Sequence, residues 1–225
     1  MVARGQVKVA CEVVSDPARE FELEGLAVEV EGQPWHCRTR AYLALHKPVG
    51  YECSRKPEHH HGVLSLLPLP FTTKGVQPVG RLDHDSSGLL LLSDDGAFVH
   101  AISSPKRHVA KTYRATTRDP VTAEHVARLL EGVQLRRETR PVAALECRAT
   151  GSHQLELMID QGKYHQVRRM LAAAGAACEE LHRSAIGELT LERLGLEEGQ
   201  WCELGASELE LLRNPASPPG AKTRP

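Results

Sequence analysis

Gly80-Arg81-Leu82-Asp83-His84-Asp85-Ser86-Ser87-Gly88-Leu89 runs straight into Leu90-Leu91-Leu92, a stretch apolar enough to be a buried strand. Asp83 therefore stands at the mouth of that strand, in a glycine-led turn, with Arg81 two residues before it. A carboxylate in such a place is costly unless charged or hydrogen-bonding partners are supplied. The cost marks Asp83 as a group held for binding or for chemistry.

Working outward, Ser93-Asp94-Asp95-Gly96 ends the strand, and residues 97–102 read as a short helix capped by aspartate and opened by glycine. Residues 108–117 are β-branched and aromatic enough for a strand. An amphipathic helix follows over 122–131, with Thr122 as N-cap and Val126, Leu129 and Leu130 on its apolar side. Strands are predicted at 142–148 and 154–159, a helix at 164–174 stopped by Gly175, and a short terminal helix at 207–212. Strands and helices alternate without a βαβ register. The pattern predicts an α+β domain, with helices flanking a mixed, largely antiparallel central sheet.

Upstream, Val7, Val9, Cys11 and Val13 alternate with polar neighbours as in one half-buried strand, and Leu26, Val28 and Val30 alternate again before Gly32. A linker is expected over 34–39, then a strand from Ala41 that must turn at Lys47-Pro48-Val49-Gly50. The division that follows is 1–38, 39–213, and a tail, 214–225, without an apolar anchor and expected to be disordered.

Composition narrows the class. No run approaches the roughly twenty apolar residues of a membrane span, and the first residues lack the apolar core of a signal peptide. The six cysteines are scattered without a close pair, which disfavours a zinc site or a disulfide framework and suits reduced thiols in the cytoplasm. His59-His60-His61 cannot readily face one ion from a regular element, so no metal is expected. The net charge of −1 conceals segregation. Residues 101–118 carry five basic residues and no acidic one, 36–56 carry five against Glu52, and 187–212 carry seven glutamates against Arg193. A near-neutral chain can still offer a basic surface to a polyanion.

Three separated motifs complete the reading: Lys47-Pro48-Val49-Gly50; Gly80-Arg81-Leu82-Asp83 with Ser86-Ser87-Gly88-Leu89; and Gly162-Lys163-Tyr164-His165-Gln166-Val167-Arg168-Arg169-Met170-Leu171, preceded by Lys111-Thr112-Tyr113. In this order, over roughly residues 41–212, they resemble the branch of bacterial ribosomal RNA pseudouridine synthases that often carries an N-terminal S4 module. The resemblance implies the pseudouridine synthase fold. It makes residues 1–38 a shortened, β-rich S4-like segment whose opening helices have no counterpart here.

The reaction it implies breaks a C–N glycosidic bond, turns the uracil and rejoins it through carbon, with no cofactor and no metal. Such chemistry needs one ionised carboxylate at the sugar, as nucleophile or charge stabiliser, and Asp83 is the candidate. A guanidinium nearby would keep it ionised. At about 100° per residue, Val167, Met170, Leu171 and Ala174 share one side of their helix. His165 and Arg169 lie opposite, and Arg168 falls at the seam, free to reach inward. The resemblance points to Arg168 as well, and to Tyr113 as the ring on which a flipped uracil stacks.

Arg81, Lys47, Lys111, Lys163, His165 and Arg169 are the expected RNA contacts. Asp83 and Asp85, at i and i+2 on a strand, would alternatively form the paired carboxylates of a glycoside hydrolase, with Cα atoms about 6.5–7 Å apart. Asp85 reads more simply as a loop cap. A non-catalytic RNA-binding or assembly protein is the third reading. Residues 102–113 look most like the small-subunit enzymes, with a large-subunit target as the alternative. Ribosomal RNA or an assembly particle is the expected partner, and a cytoplasmic monomer the expected form.

Overall fold

Leu89, Leu90, Leu91 and Leu92 are wholly buried, because their strand lies inside a nine-stranded sheet with neighbours on both edges. The computed structural model describes residues 2–22 and 25–212; the tail, 214–225, lies outside the described residues. The chain divides into two compact units, 1–41 and 42–225.

The first unit is an antiparallel sheet of β1 (Val7–Val9), β2 (Glu12–Val13), β3 (Ala27–Val30) and β4 (Gln33–His36), in the order β2-β1-β3-β4. The single strand expected over Val7 to Val13 is instead a hairpin. Ala10 and Cys11 take φ of 49° and 70°, the left-handed pair that a two-residue hairpin turn demands. Such a turn shifts the inward phase by one residue: Val9 stands opposite Glu12, so Val13, read as inward, is exposed and Val14 is buried. Glu31 and Gly32, at φ of 51° and 81°, turn β3 into β4 in the same way. This places strand where a linker was expected from Pro34. Across β1 and β3, Lys8 and Glu29 pair at 2.6 Å.

The second unit contains β5 (Tyr42–Lys47), β6 (Tyr51–Glu52), β7 (His61–Gly62), α1 (Leu69–Thr73), β8 (Gln77–Val79), β9 (Ser86–Ser93), α2 (Gly96–Ser103), β10 (Lys111–Thr117), α3 (Ala123–Glu131), β11 (Glu146–Gly151), β12 (Gln154–Ile159), α4 (Gln166–Ala174), β13 (Cys178–Ile186), β14 (Leu189–Thr190), α5 (Leu191–Leu194), β15 (Trp201–Glu203) and α6 (Ala206–Leu211). The sheet runs β11-β12-β10-β13-β9-β5-β15, with β8 added to β9 and β14 to β13. Every pairing in it is antiparallel except β9 with β13. The expected α+β class, with a mixed and largely antiparallel sheet, is the observed one.

Local signals account for the helices. Asp95 caps α2 by accepting from the amides of Ala97 and Phe98. The Thr122 hydroxyl accepts from the His125 amide at the start of α3, and Gly175 ends α4 at φ 100°. The strand expected at 142–148 starts later, at Glu146, while Val142 makes an isolated bridge to Val133. Two cores result. Leu129, Leu155, Leu157, Met170 and Leu171 pack beneath α3 and α4, and Ala44, Leu89, Leu91, Ile102, Ile186 and Leu189 pack beneath α2.

The parallel pairing sets Gly88 against Arg183. Gly88 sits at φ 115°, and a Cβ there would run into the Arg183 main chain. Both the backbone angle and the close approach require glycine. Gly88→Ala is expected to destabilise the folded protein by about 3 kcal/mol, read as a lowered urea midpoint with an unchanged m-value.

Candidate active site

The strand β5 ends on Lys47, whose neighbour in the ladder is Gly88. The Lys47 side chain is completely buried. Its Nζ donates to the carbonyls of Pro48 at 2.9 Å, Asp83 at 3.1 Å and Ser86 at 2.7 Å. Three N–H donors thus meet three acceptors, the full capacity of an ammonium group. Burial lowers its pKa, against the opposing pull of Cys53, Asp85 and Asp83. The expectation that Lys47 touches RNA is corrected here: the ammonium is buried, and main-chain carbonyls take up all three of its N–H bonds.

Other bonds fix the same turn. The Ser86 amide donates to the Asp83 carbonyl at 3.1 Å, the Gly50 amide to the His84 carbonyl at 2.7 Å, and the Leu82 amide to Cys53 Sγ at 3.4 Å. Asp83 and Asp85 are consequently on a turn, not a strand. Asp83 lines a cleft with Tyr113, Lys111, Arg183 and His165, whereas Asp85 lines a different one with Ser87, Arg114 and His182. The paired-carboxylate geometry of a glycoside hydrolase loses its basis with that divergence.

Arg168 reaches inward from α4, but not to the expected partner. Its Nη2 lies 3.1 Å from Asp85 Oδ2 and donates to the Asp85 carbonyl at 3.2 Å; Nη1 donates to the Cys178 carbonyl at 3.3 Å. The residue that meets Asp83 is His165, with Nε2 3.2 Å from Oδ1. His165 is the N-cap of α4 at φ 46°, and its ring stacks on exposed Tyr164 with centroids 3.9 Å apart. The turn explains the exchange: it points the two carboxylates apart, so α4 serves Asp85 with its arginine and Asp83 with its leading histidine.

Tyr113, in the middle of β10, is buried in the core and contributes to the cleft wall. Arg81 lies exposed in the cleft lining. Lys111 faces the same cleft from the start of β10, and its Nζ donates to the Val109 carbonyl at 2.7 Å. Burial, reinforced by Arg183, pushes its pKa down to about 8. Lys163 is tied to Glu138 at 2.5 Å. Arg169 donates to the carbonyls of Tyr164 and Arg136 and does not line the Asp83 cleft.

Arg183 escaped the sequence reading, although a signal existed. Leu181, Arg183 and Ala185 share the buried face of β13, so an arginine occupies an inward position of a period-2 strand.

If Lys47 is a clamp and not a phosphate contact, Lys47→Met should lower the urea midpoint by the equivalent of about 2–4 kcal/mol. Filter binding on the folded variant should then show RNA affinity within about twofold of the parent, with the salt dependence of binding unchanged.

Residues 41–173 match the RNA pseudouridylate synthase family. The chain is 39% identical to the ribosomal small subunit pseudouridine synthase A of Haemophilus influenzae, over 85% of its own length and 78% of the relative's. It is 42% identical to the protein of that name from Escherichia coli K12, over 75% and 72%. A solved structure described as a pseudouridylate synthase matches with a TM-score of 0.72 at 35% identity, covering 94% of this chain and 90% of that one. With the three motifs meeting around one carboxylate, and relatives of this identity spanning most of the chain, the protein belongs to the RNA pseudouridylate synthase family and is an enzyme that isomerises uridine to pseudouridine.

Proposed function

We propose that the enzyme acts on one uridine of small-subunit ribosomal RNA, with Asp83 as its nucleophile. The observation that carries this reading is the cleft in which Asp83 stands beside Tyr113, Lys111, Lys163 and His165. The glycosidic bond of the flipped nucleotide breaks beside the Asp83 carboxylate, which answers the charge developing at C1′. Tyr113 offers its ring to the base. Arg168 holds Asp85 and so fixes the far side of the turn that aims Asp83. Arg81, Lys163 and His165 serve the sugar and phosphates around the target.

The small-subunit target is supported by the names of the relatives, which span more than two thirds of their own length here. On this reading residues 39–213 carry the chemistry, and 1–38 form the shortened S4-like segment. The enzyme works without a cofactor, as a cytoplasmic monomer on ribosomal RNA or an assembling particle. Among the described residues no helix is long and apolar enough to cross a membrane.

The test is pseudouridine mapping of ribosomal RNA from a deletion strain. One small-subunit pseudouridine should disappear and return with the wild-type gene; an unchanged map, or a lost large-subunit position, would refute the assignment. Asp83→Asn should fail to restore it, with turnover down at least about a thousandfold and RNA binding close to normal. Arg168→Ala and Asp85→Asn should each slow turnover, and the double variant should be less impaired than the two effects summed, with a coupling of about 1–3 kcal/mol. Additive losses would mean that the pair does not act as a unit.

A further inference from the structure

The guanidinium of Arg183 is only partly used. The residue is 2% exposed, and its Nε donates to the Leu89 carbonyl at 2.8 Å. Its Nη2 is buried and has no hydrogen-bond partner among the described residues. A buried charged donor without an acceptor is costly and rare. It persists where a ligand completes it.

The surroundings define the ligand. Arg183 lines the cleft that holds Asp83 and Tyr113, with Ile102, Ile159, Leu181 and Ile186 supplying apolar walls. Lys111 also lines this cleft and is close enough to Arg183 to feel its charge. A flat, apolar-edged ring bearing hydrogen-bond acceptors fits such walls and such donors. Uracil is that ring: its faces suit Tyr113 and the isoleucines, and its O2 and O4 are acceptors.

We propose that Arg183, supported by Lys111, binds a carbonyl oxygen of the flipped uracil and stabilises the negative charge the ring acquires when it leaves the sugar. This rests on reading the cleft as the uridine site. When the C1′–N1 bond breaks, its electron pair goes with the uracil and spreads over N1, O2 and O4. The ring turns, C5 bonds to C1′, the C5 proton is lost and N1 gains one. No atom or electron is gained overall, so the requirement is a fixed cation near the detached ring. Arg183 supplies that cation, and because it is buried its charge acts with little screening. A donor-only group also has nothing to offer the exocyclic amine that cytosine carries in place of O4.

The experiment compares single-turnover rates of full-length protein on ribosomal RNA and on the same RNA carrying 5-fluorouridine, followed as consumption of the target nucleoside. Fluorine withdraws electrons and stabilises the detached ring, so cleavage leans less on the protein's cation. Arg183→Gln should lose about a hundredfold or more on uridine but less than about tenfold on 5-fluorouridine, with RNA affinity within about threefold. Equal losses on the two substrates, or a variant as fast as wild type, would overturn the proposal.

Should Arg183→Gln not fold, Arg183→Lys keeps the charge but shortens its reach. A loss of about tenfold on uridine, and under about threefold on 5-fluorouridine, is then expected; equal losses again overturn it. Wild-type protein inactive on every ribosomal RNA would instead overturn the reading of the site as a whole.

Discussion

A single ammonium group holds the geometry on which the site depends. The turn from Asp83 to Ser86, at the mouth of a buried strand, directs the carbonyls of Asp83 and Ser86 at the Lys47 ammonium, which donates to both and to Pro48. The Asp83 carbonyl also accepts from the Ser86 amide, so the ammonium and the turn's own bond fix it together. Because two of those carbonyls belong to Asp83 and Ser86, the direction of the carboxylate is set by the main chain. The buried positive charge is also attracted to both Asp83 and Asp85.

Around this clamp the sheet order brings distant segments into register. The pairing of β5 with β9 places the first motif against the second. The parallel pairing of β9 with β13 then carries Arg183 to the back of the turn, through a gap that only Gly88 leaves open. From β10, Tyr113 and Lys111 enter the same cleft. Helix α4 supplies the last pieces from its first residues, where a left-handed His165 turns its imidazole toward Asp83 and Arg168 passes beneath to Asp85.

Much of the fold was legible because local physics decided it. The Asp95 and Thr122 caps, the Gly175 stop and the four buried leucines each depend on neighbours within a few residues. So did the motifs around Asp83. The errors arose where distance or turn geometry decided. Period-2 alternation of apolar residues ran unbroken through Ala10 and Cys11, yet the two-residue turn there shifts the inward phase from Val13 to Val14. Lys47 read as one more member of a basic run, since burial depends on carbonyls nearly forty residues away. The pairing of Arg168 with Asp85 turned on which way each carboxylate leaves the turn, a property of backbone angles. Arg183 was readable from its inward position between Leu181 and Ala185, but a lone arginine in a strand draws attention only once its strand is known to be central.

The joining of β9 to β13 also bears on how the molecule comes into being. Leu89 accepts its bond from Arg183, 94 positions further along the chain. A chain emerging from the ribosome can form the β5–β9 ladder and the Lys47 clamp early, since those partners are close in sequence. On the other edge of β9, β8 already covers Leu91 and Leu92, whereas the stretch from Ser86 to Gly88 must wait until β13 has been synthesised. Such late, long-range closure slows folding and leaves the nascent chain open to aggregation. The cleft is therefore completed only after β13 has emerged, with Arg183 lying 94 positions beyond Leu89.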